Sequence, residues 1–120
     1  MVQAAFFSIP TYGEEYVYKP PTKEVIKEKI EFYADKYGVS AKLMDAIVSC
    51  ETAGTYQHDI QSYATYKNGA REKSYGVSQI HLPDWPNVTY LQAIDPDFAL
   101  DFLAKKLSEG KGKLWSCYPK

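Results

Sequence analysis

Apolar side chains recur at helical spacing in three stretches of this chain, and a long polar interval separates the second from the third. Over "TKEVIKEKIEFYADKYG", Val25, Ile26, Ile30, Tyr33 and Tyr37 repeat every three or four residues. Thr22 has the chemistry of an N-cap, and Gly38 ends the run. A second helix is predicted at once: Ser40 caps it, Leu43, Met44, Ile47 and Val48 share a face, and Gly54 stops it. Residues 55–73 have few aliphatic side chains, so an irregular lobe or short hairpin is expected there, turning at Asn68-Gly69. "GVSQIHL" returns to apolar positions and reads as a short helix broken by Pro83 and Pro86. The last helix opens at Asp95-Pro96, with proline at its first position. It turns Phe98, Phe102, Leu103 and Leu107 inward and ends at Gly110. The tail "KLWSCYPK" brings Trp115 and Cys117 back to the core.

These elements predict a mainly α fold with a cleft and a small irregular or hairpin lobe, formed by residues 22–120. Residues 1–21, punctuated by Pro10, Gly13, Pro20 and Pro21, are expected to form an extended arm or a linker remnant. At 120 residues the chain suits one core rather than two.

Charge narrows the function classes. Fifteen acidic residues face fourteen basic ones, and the bases of the first helix alternate with acids, as on a solvated face. Nucleic acid is therefore not an expected partner. No stretch approaches the ~20 apolar residues of a membrane span, and the first fifteen residues lack the basic start and apolar core of a signal peptide. His58 and His81 have no ligand spacing with the two cysteines, so neither a metal site nor another cofactor is expected. Eleven tyrosines, each an apolar ring with a hydroxyl handle, suit sugar faces as well as partly buried cores. Cys50 and Cys117 read equally as two buried thiols or as a disulfide worth about 3–4 kcal/mol in the chain-entropy account.

Glu51 breaks a local rule. It stands in the last turn of an apolar helix, at the negative end of the helix dipole, where a cation is locally preferred. Against apolar neighbours its pKa is expected to rise, as a general acid requires. Glycosidases commonly add a second carboxylate; Asp59 and Asp84 are the candidates, and an exposed loop acid is the plainer reading of Asp59. In "SYGVSQIHL", Gly76 permits close backbone approach and Gln79 offers both a donor and an acceptor. The plainer reading is a turn leading into core residues Ile80 and Leu82.

Taken together, "IVSCET" and "SYGVSQI" resemble the soluble lytic transglycosylase domain of the lysozyme-like superfamily. That family carries Glu-Ser at a helix end, followed by Ser-x-Gly-Leu-Met-Gln-Ile. Thr52 here replaces the serine, and Val77-Ser78 replace Leu-Met. The resemblance covers residues 38–118. It implies an α+β lysozyme-like fold, peptidoglycan or a related N-acetylated glycan as partner, and Glu51 as a single acid/base that leaves 1,6-anhydro ends. It also implies a cleft lined or supported by Ser74, Gly76, Gln79 and Ile80, and it favours a Cys50–Cys117 bridge. An extracytoplasmic monomer is the corresponding expectation. The Ala-Tyr-Asn-Ala-Gly segment that supplies a cleft tyrosine in many relatives has no counterpart here; Tyr118 and Tyr75 are the substitutes considered. Two alternatives stand beside this expectation. One is a hydrolytic lysozyme or chitinase-like muramidase using Glu51 with Asp59, and Thr65 near a phage-type spacing. The other is a non-catalytic glycan-binding module.

Overall fold

Two capped helices follow one another at the start of the folded region. Helix α1, Lys23–Tyr37, begins where the Thr22 side chain accepts from the Val25 amide, and it ends at Gly38 in the left-handed conformation. Helix α2, Ala41–Glu51, is capped in the same way by Ser40, which accepts from the Leu43 amide. The structure, a computed structural model, describes residues 18–119. Residues 1–17 of the expected N-terminal arm lie outside the described residues, and 18–22 carry no regular structure.

A lobe of short strands and turns then leads to β1, Ser74–Tyr75, and β2, Ile80–His81, which pair antiparallel. Helix α3, Tyr90–Ile94, and helix α4, Pro96–Ser108, complete the helical part, and short 3-10 turns cover Leu82–Asp84 and Gly112–Leu114. The expected mainly helical fold with a small hairpin lobe is observed. Helix α3 is an addition to the predicted elements; at five residues it is too short for periodicity to reveal, but a Thr89/Gln92 capping box marks its start.

Helix α1 packs against both α2 and α4. Ile26, Ile30 and Ala34 meet Met44, Ile47, Val48, Leu100 and Leu103 in one core. Val25, expected on the inward face, is exposed, and Ala34 takes the buried place instead. On α4, Ala99, Leu100, Leu103 and Ala104 form the fully buried stripe, while Phe98, Phe102 and Leu107 pack at its margin. A polar seam joins the same helices: Lys29 and Tyr33 bind Asp97, and Lys36 and Tyr37 bind Asp101. Burial, followed by the Asp97 carboxylate, pushes Tyr33 up to about 12, so it remains a donor. These ion pairs are partly exposed and contribute at most about 1 kcal/mol each. Each fully buried aliphatic side chain is worth about 1.5–3 kcal/mol, so the apolar stripe holds the helices together.

The segment "GVSQIHL", expected as a short helix, is instead the turn and second strand of a hairpin. Gly76 (φ 84°) and Gln79 (φ 49°) both lie in the left-handed region, which a right-handed helix excludes. The close approach anticipated at Gly76 is made to the protein's own backbone: a Cβ there would overlap the Ala93 carbonyl oxygen at the end of α3. Gly76→Ala is therefore expected to cost about 2–3 kcal/mol, from left-handed strain plus overpacking. The check is a lowered urea midpoint at unchanged m-value.

Candidate active site

Glu51 owes its position to the way α2 ends. Thr52 is fully buried; its hydroxyl donates to the Val48 carbonyl (2.8 Å) and accepts from the Tyr56 amide (2.9 Å). This clasp stops the helix one residue after Glu51 and leaves the carboxylate half-buried.

Opposite stands the lobe. Its chain runs out through Gln61–Tyr66, turns at Asn68-Gly69 and returns, with antiparallel bridges Thr65 to Arg71 and Gln61 to Tyr75. The turn expected at Asn68-Gly69 is present, with Asn68 Oδ1 accepting from the Ala70 amide. Arg71 braces the two arms by donating to the carbonyls of Gln61 and Ser62. Inside this outer hairpin lies the β1–β2 turn. Gln79 Nε2 donates to the carbonyls of Ile60 (3.0 Å) and Gly76 (2.9 Å), which holds its left-handed backbone in place. Ser78 donates to the Ala99 carbonyl of α4, and Trp115 Nε1 donates to the Ser78 carbonyl (2.7 Å). The turn, α4 and the tail are thereby locked together.

Between lobe, helix end and tail lies a cavity of about 440 Å3, within the ~300–1,000 Å3 range of small-molecule clefts. Glu51, Ser74 and Gln79 line it with Tyr66, Glu72, His81 and Asp84 from the lobe side and Trp115 and Ser116 from the tail. A smaller cavity of about 150 Å3 shares Gln79, His81, Asp84 and Trp115 and continues to Trp85. The disulfide Cys50–Cys117 is formed and pins the tail beside Glu51. The Cys117 amide donates to Glu51 Oε2 at 3.3 Å.

Burial pushes the Glu51 carboxyl above its ordinary value. The Cys117 N–H opposes that shift and the Glu72 charge adds to it, and the net shift is upward. A raised carboxyl in a cleft holds its proton to higher pH and can deliver it to a substrate oxygen. Glu72 is thus the carboxylate the fold places in electrostatic reach of Glu51.

Of the residues nominated from sequence, the fold brings Glu51, Ser74, Gln79 and Asp84 into one cavity. Gly76 and Ile80 are buried behind it, although Ile80 borders the smaller cavity. Tyr75 packs edge-on against Tyr90, and Tyr118 lies across Gly112 outside the cavity. Asp59 is exposed, accepts from Gln57 and does not line the cavity, whereas Asp84 does. Tyr66 and Glu72 were not anticipated. Their signal was a period of two: Ser62, Ala64 and Tyr66 alternate along one extended arm, and Glu72 and Ser74 along the other, so each set faces one side. His58 is held by Tyr18 and by the Ile94 carbonyl. Comparison with protein-family models, curated proteins and solved structures finds no match to this chain.

Proposed function

We propose that this protein is a lytic transglycosylase of lysozyme-like architecture. It would cleave the β-1,4 bond between N-acetylmuramic acid and N-acetylglucosamine in peptidoglycan. The observation that carries this reading is Glu51: a half-buried carboxyl, raised by its surroundings, at a helix end in the wall of a polar cleft. On this reading Glu51 gives its proton to the glycosidic oxygen as the C1–O bond breaks. The substrate's acetamido group stabilises the developing positive charge at C1. Glu51, now a carboxylate, takes the proton of the muramyl C6 hydroxyl while that oxygen bonds to C1. The sugar closes into a 1,6-anhydro ring, no water is consumed, and Glu51 is again protonated. The disulfide agrees with an extracytoplasmic home, because such bridges persist in oxidising compartments. No helix among the described residues is long and apolar enough to cross a membrane.

One observation favours a second reading. Glu72 shares the cavity and raises Glu51 through its charge, as the second carboxylate of a hydrolase would. Product analysis separates the two. Mass spectrometry of digested peptidoglycan is expected to show 1,6-anhydro ends, one water lighter than reducing ends, for the wild type and for Glu72→Gln. Reducing ends that vanish in Glu72→Gln would establish hydrolysis. Glycan binding with no cleavage would establish a non-catalytic module.

A further inference from the structure

Tyr66, His81 and Asp84 are joined in series along the cavity wall. The Tyr66 hydroxyl lies 2.8 Å from His81 Nε2, and His81 Nδ1 lies 2.9 Å from Asp84 Oδ2. The Asp84 carboxylate can only accept, so it sets the direction of the series by accepting the His81 Nδ1–H, while the Lys73 backbone amide donates to the Tyr66 hydroxyl at 3.1 Å. An amide N–H can only donate, so it occupies one lone pair of the phenol oxygen. In a neutral ring with Nδ1 protonated, Nε2 is bare and accepts the single phenolic proton of Tyr66. Nδ1 carries the ring proton and gives it to the Asp84 carboxylate. What the phenol oxygen has left is one lone pair.

We propose that Asp84, His81 and Tyr66 form a positioning chain that presents the Tyr66 oxygen to the cavity as an acceptor only, a binding subsite for a hydroxyl or amide donor of an N-acetylated sugar. The inference rests on the glycan reading of the cavity and adds to it a residue that touches substrate, Tyr66, and two that act through it. A free tyrosine hydroxyl adapts to donors and acceptors alike. One whose proton is already committed rejects an acceptor, because two oxygen lone pairs would face each other without a proton between them. Asp84 and His81 also border the smaller adjoining cavity, so the chain stands where the two cavities meet.

Two measurements test this. The first needs no substitution: 15N NMR of the His81 ring in the wild-type protein at mildly alkaline pH. The expected spectrum has Nδ1 protonated and Nε2 bare. A proton on Nε2, in either the other tautomer or the cation, would overturn the chain. The second is steady-state cleavage of soluble peptidoglycan fragments. Tyr66→Phe keeps the ring and removes the acceptor, and is expected to raise KM about tenfold, the weight of one hydrogen bond, with kcat changed less than twofold. His81→Gln is expected to raise KM as well, and the double variant to be no worse than Tyr66→Phe alone, since without the phenol oxygen His81 has nothing to orient. Additive losses, an unchanged KM, or a loss confined to kcat would each overturn the proposal. Glu51→Gln cleaving as well as wild type would overturn the glycan chemistry instead, whatever the tyrosine variants do.

Discussion

Glu51→Gln is expected to cut peptidoglycan cleavage by about 10²–10⁴-fold, the range that positioned acid/base groups supply, while making the folded protein more stable at neutral pH. Glutamine keeps the volume and can still accept the Cys117 N–H through its amide oxygen, but it has no proton to deliver. The stability change follows from the direction of the pKa. Burial raises the folded-state carboxyl above its ordinary value of 4.5, so the folded protein binds this proton more tightly than the unfolded chain does. The stability Glu51 contributes is fully present below the unfolded value and is lost as pH rises through the folded one. At neutral pH the desolvated carboxylate is a cost that glutamine removes. Urea unfolding of both proteins across the acid range should therefore give curves that separate as pH rises, with the variant above. Parallel curves would place Glu51 in water rather than in the cleft wall. Cleavage rates retained in Glu51→Gln would take the acid/base role away from this residue.

Removing the disulfide, by reduction or by Cys50→Ser with Cys117→Ser, is expected to lower stability by about 4 kcal/mol, the chain-entropy figure for a closed loop of this size. Urea titrations with and without reductant measure it. The loss should also reach the site. The tail supplies Trp115 and Ser116 to the cavity wall and the Cys117 N–H to Glu51. Trp115 remains anchored through its bond to the Ser78 carbonyl, so the freed part is the segment beyond it. Two opposed effects on Glu51 then compete: loss of the N–H donor raises its pKa, and exposure to water lowers it. Burial is the larger cause in the folded protein, so the expected net change is downward. The alkaline limb of the cleavage profile, where the acid loses its proton, should move to lower pH in the reduced protein. A limb that stays in place, or moves to higher pH, would mean that the shielding by the tail does not outweigh its N–H contact with Glu51.

The three long helices were legible because their determinants are local. Thr22, Ser40 and Asp95 each accept from an amide two or three residues ahead, and the apolar repeats that follow need no knowledge of a partner. The same holds for the Asn68-Gly69 turn, whose geometry is set within four residues. Glu51 at the end of α2 follows from these signals, as does its discord with the helix dipole.

"GVSQIHL" could not be assigned in this way. A short apolar run fits either period, and the choice was made by neighbours distant in sequence: the Ile60 carbonyl accepts from the Gly76 amide, Ala93 leaves no room for a Cβ, and Ala99 and Trp115 bind Ser78. The company of Glu51 was likewise set by tertiary structure. Asp59 was nearer in sequence, yet the lobe turns it to solvent and brings Glu72 round the outer hairpin into the cavity. The chain by itself thus determined the helices, their caps and the misplaced acid, since those depend on interactions across a few residues. Only the folded lobe decided which polar groups face that acid, because strand pairing and the cross-link join residues that local preference cannot compare.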